Sequence, residues 1–89
     1  MKAVVSVTGK DRTGIIARIA GELAASNINV LEISQTILNG YFVMIMHVDA
    51  SEPNIELAAL NAKLQSAVEG WGITVHVQHE DLFAAMQRV

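Results

Sequence analysis

Gly9-Lys10-Asp11-Arg12-Thr13-Gly14 is the stretch from which the architecture is read. An alternating apolar run precedes it and a run with helical spacing follows, so it is a strand-to-helix turn with glycine at both ends. Glycine allows close backbone approach or a positive φ. A helix starting at Thr13 or Gly14 turns its unpaired N–H groups and the positive end of its dipole toward this turn. A carboxylate finds donors there, and Asp11 can receive an ammonium group. On residue chemistry alone the turn is a seat for a small zwitterion, although short polar turns with two glycines also occur without ligands.

Upstream, Lys2 to Thr8 alternates, with Ala3, Val5 and Val7 on one face and Val4, Ser6 and Thr8 on the other, the pattern of a first strand. Downstream, Ile15, Ile16, Ile19, Ala20, Leu23 and Ala24 follow helical spacing and predict an amphipathic helix to about Ser26. Arg18 and Glu22 are expected as a solvated pair on its far face. A second strand is predicted from Val30 to Leu38, with Leu31, Ile33 and Ile37 opposite Glu32, Ser34 and Thr36. Asn39-Gly40 signals a tight hairpin. The third strand, Tyr41 to Asp49, is apolar on both faces, which predicts burial on both sides, at the sheet centre or against a partner subunit.

Ser51-Glu52-Pro53-Asn54 is expected to open a second helix, with Leu57, Leu60, Leu64, Ala67 and Val68 inward and Gly70 as its stop. Gly72 to His79 supplies a fourth strand. From Glu80 to Val89, Leu82, Phe83, Met86 and Val89 share one helical face. The order strand–helix–strand–strand–helix–strand predicts an α+β, ferredoxin-like βαββαβ sandwich. Its sheet is antiparallel and four-stranded, with two helices on one face and a short C-terminal helix.

At 89 residues the chain is expected to be a single domain, 1–89. Hydrophobic residues make up 52% and charged residues 17%. A body this small buries only about 60–65% of its unfolded surface, so so much apolar material predicts a homodimer. The net charge is −3 and the six Lys and Arg are scattered, which leaves nucleic acid without a basic footprint. The absence of cysteine suits a reducing compartment. Neither a signal peptide nor an apolar run of membrane-spanning length is apparent, so a cytoplasmic protein without membrane contact is expected.

Catalytic chemistry has little to stand on. His76 and His79, three apart on a strand, point to opposite faces, and His47 lies on a strand that the fold separates from theirs, so no metal is expected. Ser6, Ser26, Ser34, Ser51 and Ser66 lack a nucleophile elbow. Glu80-Asp81 suits a helix start rather than acid–base work. The turn is no Walker or dinucleotide fingerprint. No cofactor and no catalytic residue are expected. An RNA-recognition domain shares the element order, but Tyr41 and Phe42 are adjacent and cannot both stack bases on one face. An acylphosphatase loop matches the turn in position only.

Asp11-Arg12-Thr13-Gly14-Ile15-Ile16, followed by Leu23 and Asn27-Ile28-Asn29-Val30, resembles an ACT domain. The likeness covers the whole element order and is most specific over residues 4–38, where Ile33-Ser34-Gln35-Thr36-Ile37 is similar to small stand-alone ACT proteins. The N-terminal halves of formyltetrahydrofolate deformylases and of glycine-cleavage repressor-like proteins look similar too. The resemblance implies a dimerising regulatory module that binds an amino acid between subunits. It implies ligand contacts from Asp11, Asn29 and the backbone around Gly14, with Arg12 and Ile15 flanking. Some ligand-binding members carry a histidine where this chain has Gly9. With no fused enzyme or DNA-binding domain in view, a separate protein partner is expected. The alternative is a ligand-free interaction module, docking an enzyme or regulator through its sheet face or C-terminal helix.

Overall fold

The computed structural model describes residues 1–53 and 55–82. The elements are β1 (Lys2–Lys10), α1 (Ile15–Ala25), β2 (Ile28–Leu38), β3 (Tyr41–Ala50), α2 (Leu57–Ala67) and β4 (Ile73–His79). The strands form one sheet in the order β2-β3-β1-β4. Every neighbouring pair is antiparallel. This is the expected ferredoxin-like βαββαβ sandwich.

The inward faces carry the core. Ala3, Val5 and Val7 of β1 meet Met44, Met46 and Val48 of β3 and Val75 and Val77 of β4, and Ile15, Ile19, Leu23, Leu60 and Leu64 cover them from the helices. Asn39 and Gly40 take φ of 52° and 79° at the hairpin between β2 and β3. Two successive left-handed residues match the twist of the flanking strands. After α1, Asn27 (φ 59°) makes the exit turn and its N–H donates to the Ala24 carbonyl at 3.0 Å.

Several local expectations are corrected. β1 continues through Lys10, which pairs with Tyr41, so the turn is shorter than the six-residue stretch from Gly9 to Gly14 suggests. α2 starts at Leu57 with Glu56 as its N-cap, not near Pro53. The Ser51 hydroxyl is engaged elsewhere, donating to the Asn27 carbonyl at 2.9 Å, and Ile55 packs on the core before the helix begins. Arg18 and Glu22 do not pair with each other. Arg18 Nε donates to the Ala67 carbonyl at 2.9 Å, while Glu22 lies 4.0 Å from Lys63. The last carbonyls of α2 lack intrahelical donors, which makes Ala67 the better partner for a guanidinium.

β3 is buried on one face only. Phe42, Met44, Met46 and Val48 face the core, whereas Tyr41 is 60% exposed and Val43 40% exposed on the other side. β2 is an edge strand, and a bulge between Val30 and Glu32 removes Leu31 from the ladder. Ile33 and Ile37 are opposite Met46 and Phe42, so they face the helix side of the sheet, yet both stay exposed. A helical turn begins at Glu80. The rest of the expected C-terminal helix, with Phe83, Met86 and Val89, lies outside the described residues.

Candidate functional site

Asp11 leaves β1 one residue past the last strand pair, and its N–H donates to the Gly40 carbonyl at 2.8 Å. The bond ties the β1–α1 turn to the β2–β3 hairpin. Asp11 is exposed, and among the described residues its carboxylate has neither a hydrogen bond nor an ion pair. Gly14 is the N-cap of α1 at φ 93°, a value that a side chain would strain, and no side chain caps the helix. The first-turn N–H groups at Ile15, Ile16 and Ala17 therefore have no acceptor within the helix.

Between this turn and β2 lies a cleft of 320 Å³. Asp11, Arg12, Gly14 and the first turn of α1 form one wall, and Gln35 and Ile37 of β2, with Phe42 beneath, form the other. An acceptor-only carboxylate stands on one side, uncapped amides stand on another, and Ile37 and Phe42 join the Gln35 carboxamide on the β2 wall. That combination can hold a group bearing both charges next to an aliphatic body.

Four of the five residues singled out from the sequence come together here. Asp11, Arg12, Gly14 and Ile15 all line the cleft. Ile15 is 2% exposed, so its side chain belongs to the core and its N–H is what it can offer a ligand. Asn29 does not join them. It pairs with Asp49, eight rungs along the sheet from the Leu38–Tyr41 pair, a separation of about 25 Å within one chain.

Gly9 also has a definite role, and it is steric. A Cβ there would lie 2.4 Å from the Gly72 carbonyl oxygen and 2.8 Å from the Ile73 side chain. A histidine at this position could not be accommodated on this backbone. Trp71 was not anticipated from the sequence. The Arg12 guanidinium sits 3.8 Å above its ring and that of Arg18 5.8 Å away. Arg12 is thereby held at the rim of the cleft by a contact between residues far apart in the chain, for which no local pattern exists. Cation–π contacts at exposed sites are worth about 0.5–1 kcal/mol.

Other candidate chemistry stays dispersed. β1 separates β3 from β4, which keeps His47 apart from His76 and His79. Among the described residues no three His, Cys, Asp or Glu are grouped to hold a metal ion. No described helix is long and apolar enough to cross a membrane.

Comparison with known proteins adds the family. Residues 2–78 match the family model described as ACT domain. A UPF0237 protein from Methanocaldococcus jannaschii is 50% identical over 88 residues, covering 99% of this chain and 98% of that one. The solved ACT domain protein from Streptococcus pneumoniae is 31% identical, with a TM-score of 0.82 and 93% of each chain covered. A formyltetrahydrofolate deformylase from Pseudomonas putida shares the fold at 13% identity and a TM-score of 0.79. The match takes in 91% of this chain and 29% of that one.

Proposed function

This chain belongs to the ACT-domain family, and from that premise we propose a non-catalytic regulatory module that dimerises and binds an amino acid at the β1–α1 turn. The observation that carries the reading is the cleft itself, where the unpartnered Asp11 carboxylate stands beside the uncapped first turn of α1. In this reading Asp11 receives the ligand ammonium, the amides after Gly14 receive its carboxylate, and the exposed Ile37 contacts its side chain. Residues 1–89 act as one cytoplasmic domain and convey the bound state to a separate protein partner.

The exposed edge at β2 supports a two-chain site. β2 is an open edge, and Leu31, Ile33 and Ile37 are half exposed along it. Two copies pairing β2 antiparallel about a two-fold axis near Ile33 bring the partner's β2 alongside the mouth of the cleft.

The test is thermal unfolding against a panel of amino acids. A ligand at a hundred times its dissociation constant stabilises by about 2.7 kcal/mol. For a domain of this size each kcal/mol raises the midpoint by roughly 4–8 °C. The expected result is a hit that disappears in Asp11→Ala while the variant stays folded and dimeric. An unchanged shift in that variant rejects the site, and a flat panel rejects ligand binding. A ligand-free docking module is the second reading, favoured by exposed Tyr41 and Val43 on the helix-free sheet face.

A further inference from the structure

A sheet of order β2-β3-β1-β4 has two edges, each with a row of backbone N–H and C=O groups turned away from the neighbouring strand. At β4 three of these groups are bonded to side chains of α2. Gln65 Nε2 donates to the Ile73 carbonyl at 2.7 Å, and its Oε1 accepts the Val75 N–H at 2.9 Å. Asn61 Oδ1 accepts the Val77 N–H at 2.7 Å. A carboxamide carries a donor and an acceptor, as a peptide group does. Four residues along a helix rise about 6 Å, and two residues along a strand rise about 6.6–6.8 Å. Amides at Asn61 and Gln65 therefore fall nearly in step with alternate residues of β4. One helix face imitates the hydrogen bonding of a fifth strand.

β2 is treated differently, since residues 31–38 are all exposed. The two edges are thus unequal, and the inequality resides in two side chains.

We propose that Asn61 and Gln65 guard the β4 edge and so confine assembly of this chain to β2. With one edge open, antiparallel pairing of two copies closes on itself about a two-fold axis. With both open, each dimer offers two further edges and growth has no closing symmetry. Closure of β4 stands on its own hydrogen bonds, while the limit of two rests on the homodimer reading.

Removing both amides in Asn61→Ala/Gln65→Ala exposes the Ile73 carbonyl and the Val75 and Val77 N–H groups. The expected result, by sedimentation velocity of the folded variant, is a mass that climbs with concentration while the wild type stays at a fixed size. A folded variant with the wild-type profile overturns the proposal, as does a wild type that itself grows without limit. Amide hydrogen exchange covers the case in which the double variant fails to fold. Val75 should exchange on the order of tenfold faster in Gln65→Ala, and Val77 likewise in Asn61→Ala. Unchanged exchange at those amides overturns the closure. A monomeric wild type would reject the dimer and leave the β4 guard to be judged by its variants.

Discussion

Gly9 and Asp11, two residues apart, are constrained by unrelated physics. Gly9 is determined by space, because any Cβ meets the Gly72 carbonyl. Gly9→Ala should destabilise the fold by about 1–3 kcal/mol, the usual range for forced overpacking, as a lower urea midpoint. A wild-type midpoint would show that the approach of β1 to the start of β4 is soft. Asp11 is constrained only by what it could bind, since its carboxylate contributes no bond to the fold, and Asp11→Ala should leave the unfolding free energy from urea denaturation within about 0.5 kcal/mol of wild type. Arg12 stands between the two cases. Trp71 is the chain's only tryptophan, so loss of the guanidinium in Arg12→Ala should alter its emission directly. Emission identical to wild type would mean that the pair does not persist in solution.

Helix α2 illustrates how one element can serve two ends. Its stripe of Leu60 and Leu64, continued by the capping residue Val68, enters the core, and Asn61 and Gln65 beside it bond to β4. Leu64 is fully buried, so Leu64→Ala should cost about 2–5 kcal/mol through lost transfer energy and the cavity left behind. Chemical denaturation measures this, and a loss below about 1 kcal/mol would mean that the helix collapses onto the gap. Proline and a polar cluster signal a helix opening only when nothing else competes. Here Ser51 bonds to Asn27 and Ile55 packs against the core, and the helix begins only at Leu57. Similarly, an Arg18–Glu22 pair is plausible on an isolated helix. Packing of α1 beside α2 offers both residues better partners.

For the whole molecule, the unequal edges and the half-exposed β2 residues bear on assembly. Ile37 is 54% exposed and contributes little to the core of one chain. Ile37→Lys should therefore leave the unfolding transition of the monomer intact while converting a dimer to monomer, as measured by light scattering. A dimer unaffected by that charge would move the interface to the Tyr41 and Val43 face. A wild-type dimer should also show a melting temperature that rises with protein concentration, since association stabilises the folded state by mass action. A concentration-independent midpoint would argue for a monomer.

Periodicity alone determined most of the architecture. Alternation at Ala3, Val5 and Val7, helical spacing from Ile15 to Leu23, and the turn chemistry of Asn39-Gly40 are local properties, and each acts within a few residues. The turn around Asp11 and Gly14 was legible for the same reason, since a strand end, a glycine and a helix start are neighbours in the chain. What tertiary structure decided were relations between distant segments. These are the Arg12–Trp71 stack, the steric demand at Gly9, the placing of Asn29 at the far end of the sheet, and the closing of β4 by Asn61 and Gln65. The apolar pattern of β3 shows where the boundary falls. A sequence states that both faces are apolar, but which face meets the helices depends on how strands and helices are stacked, a long-range property no local pattern encodes.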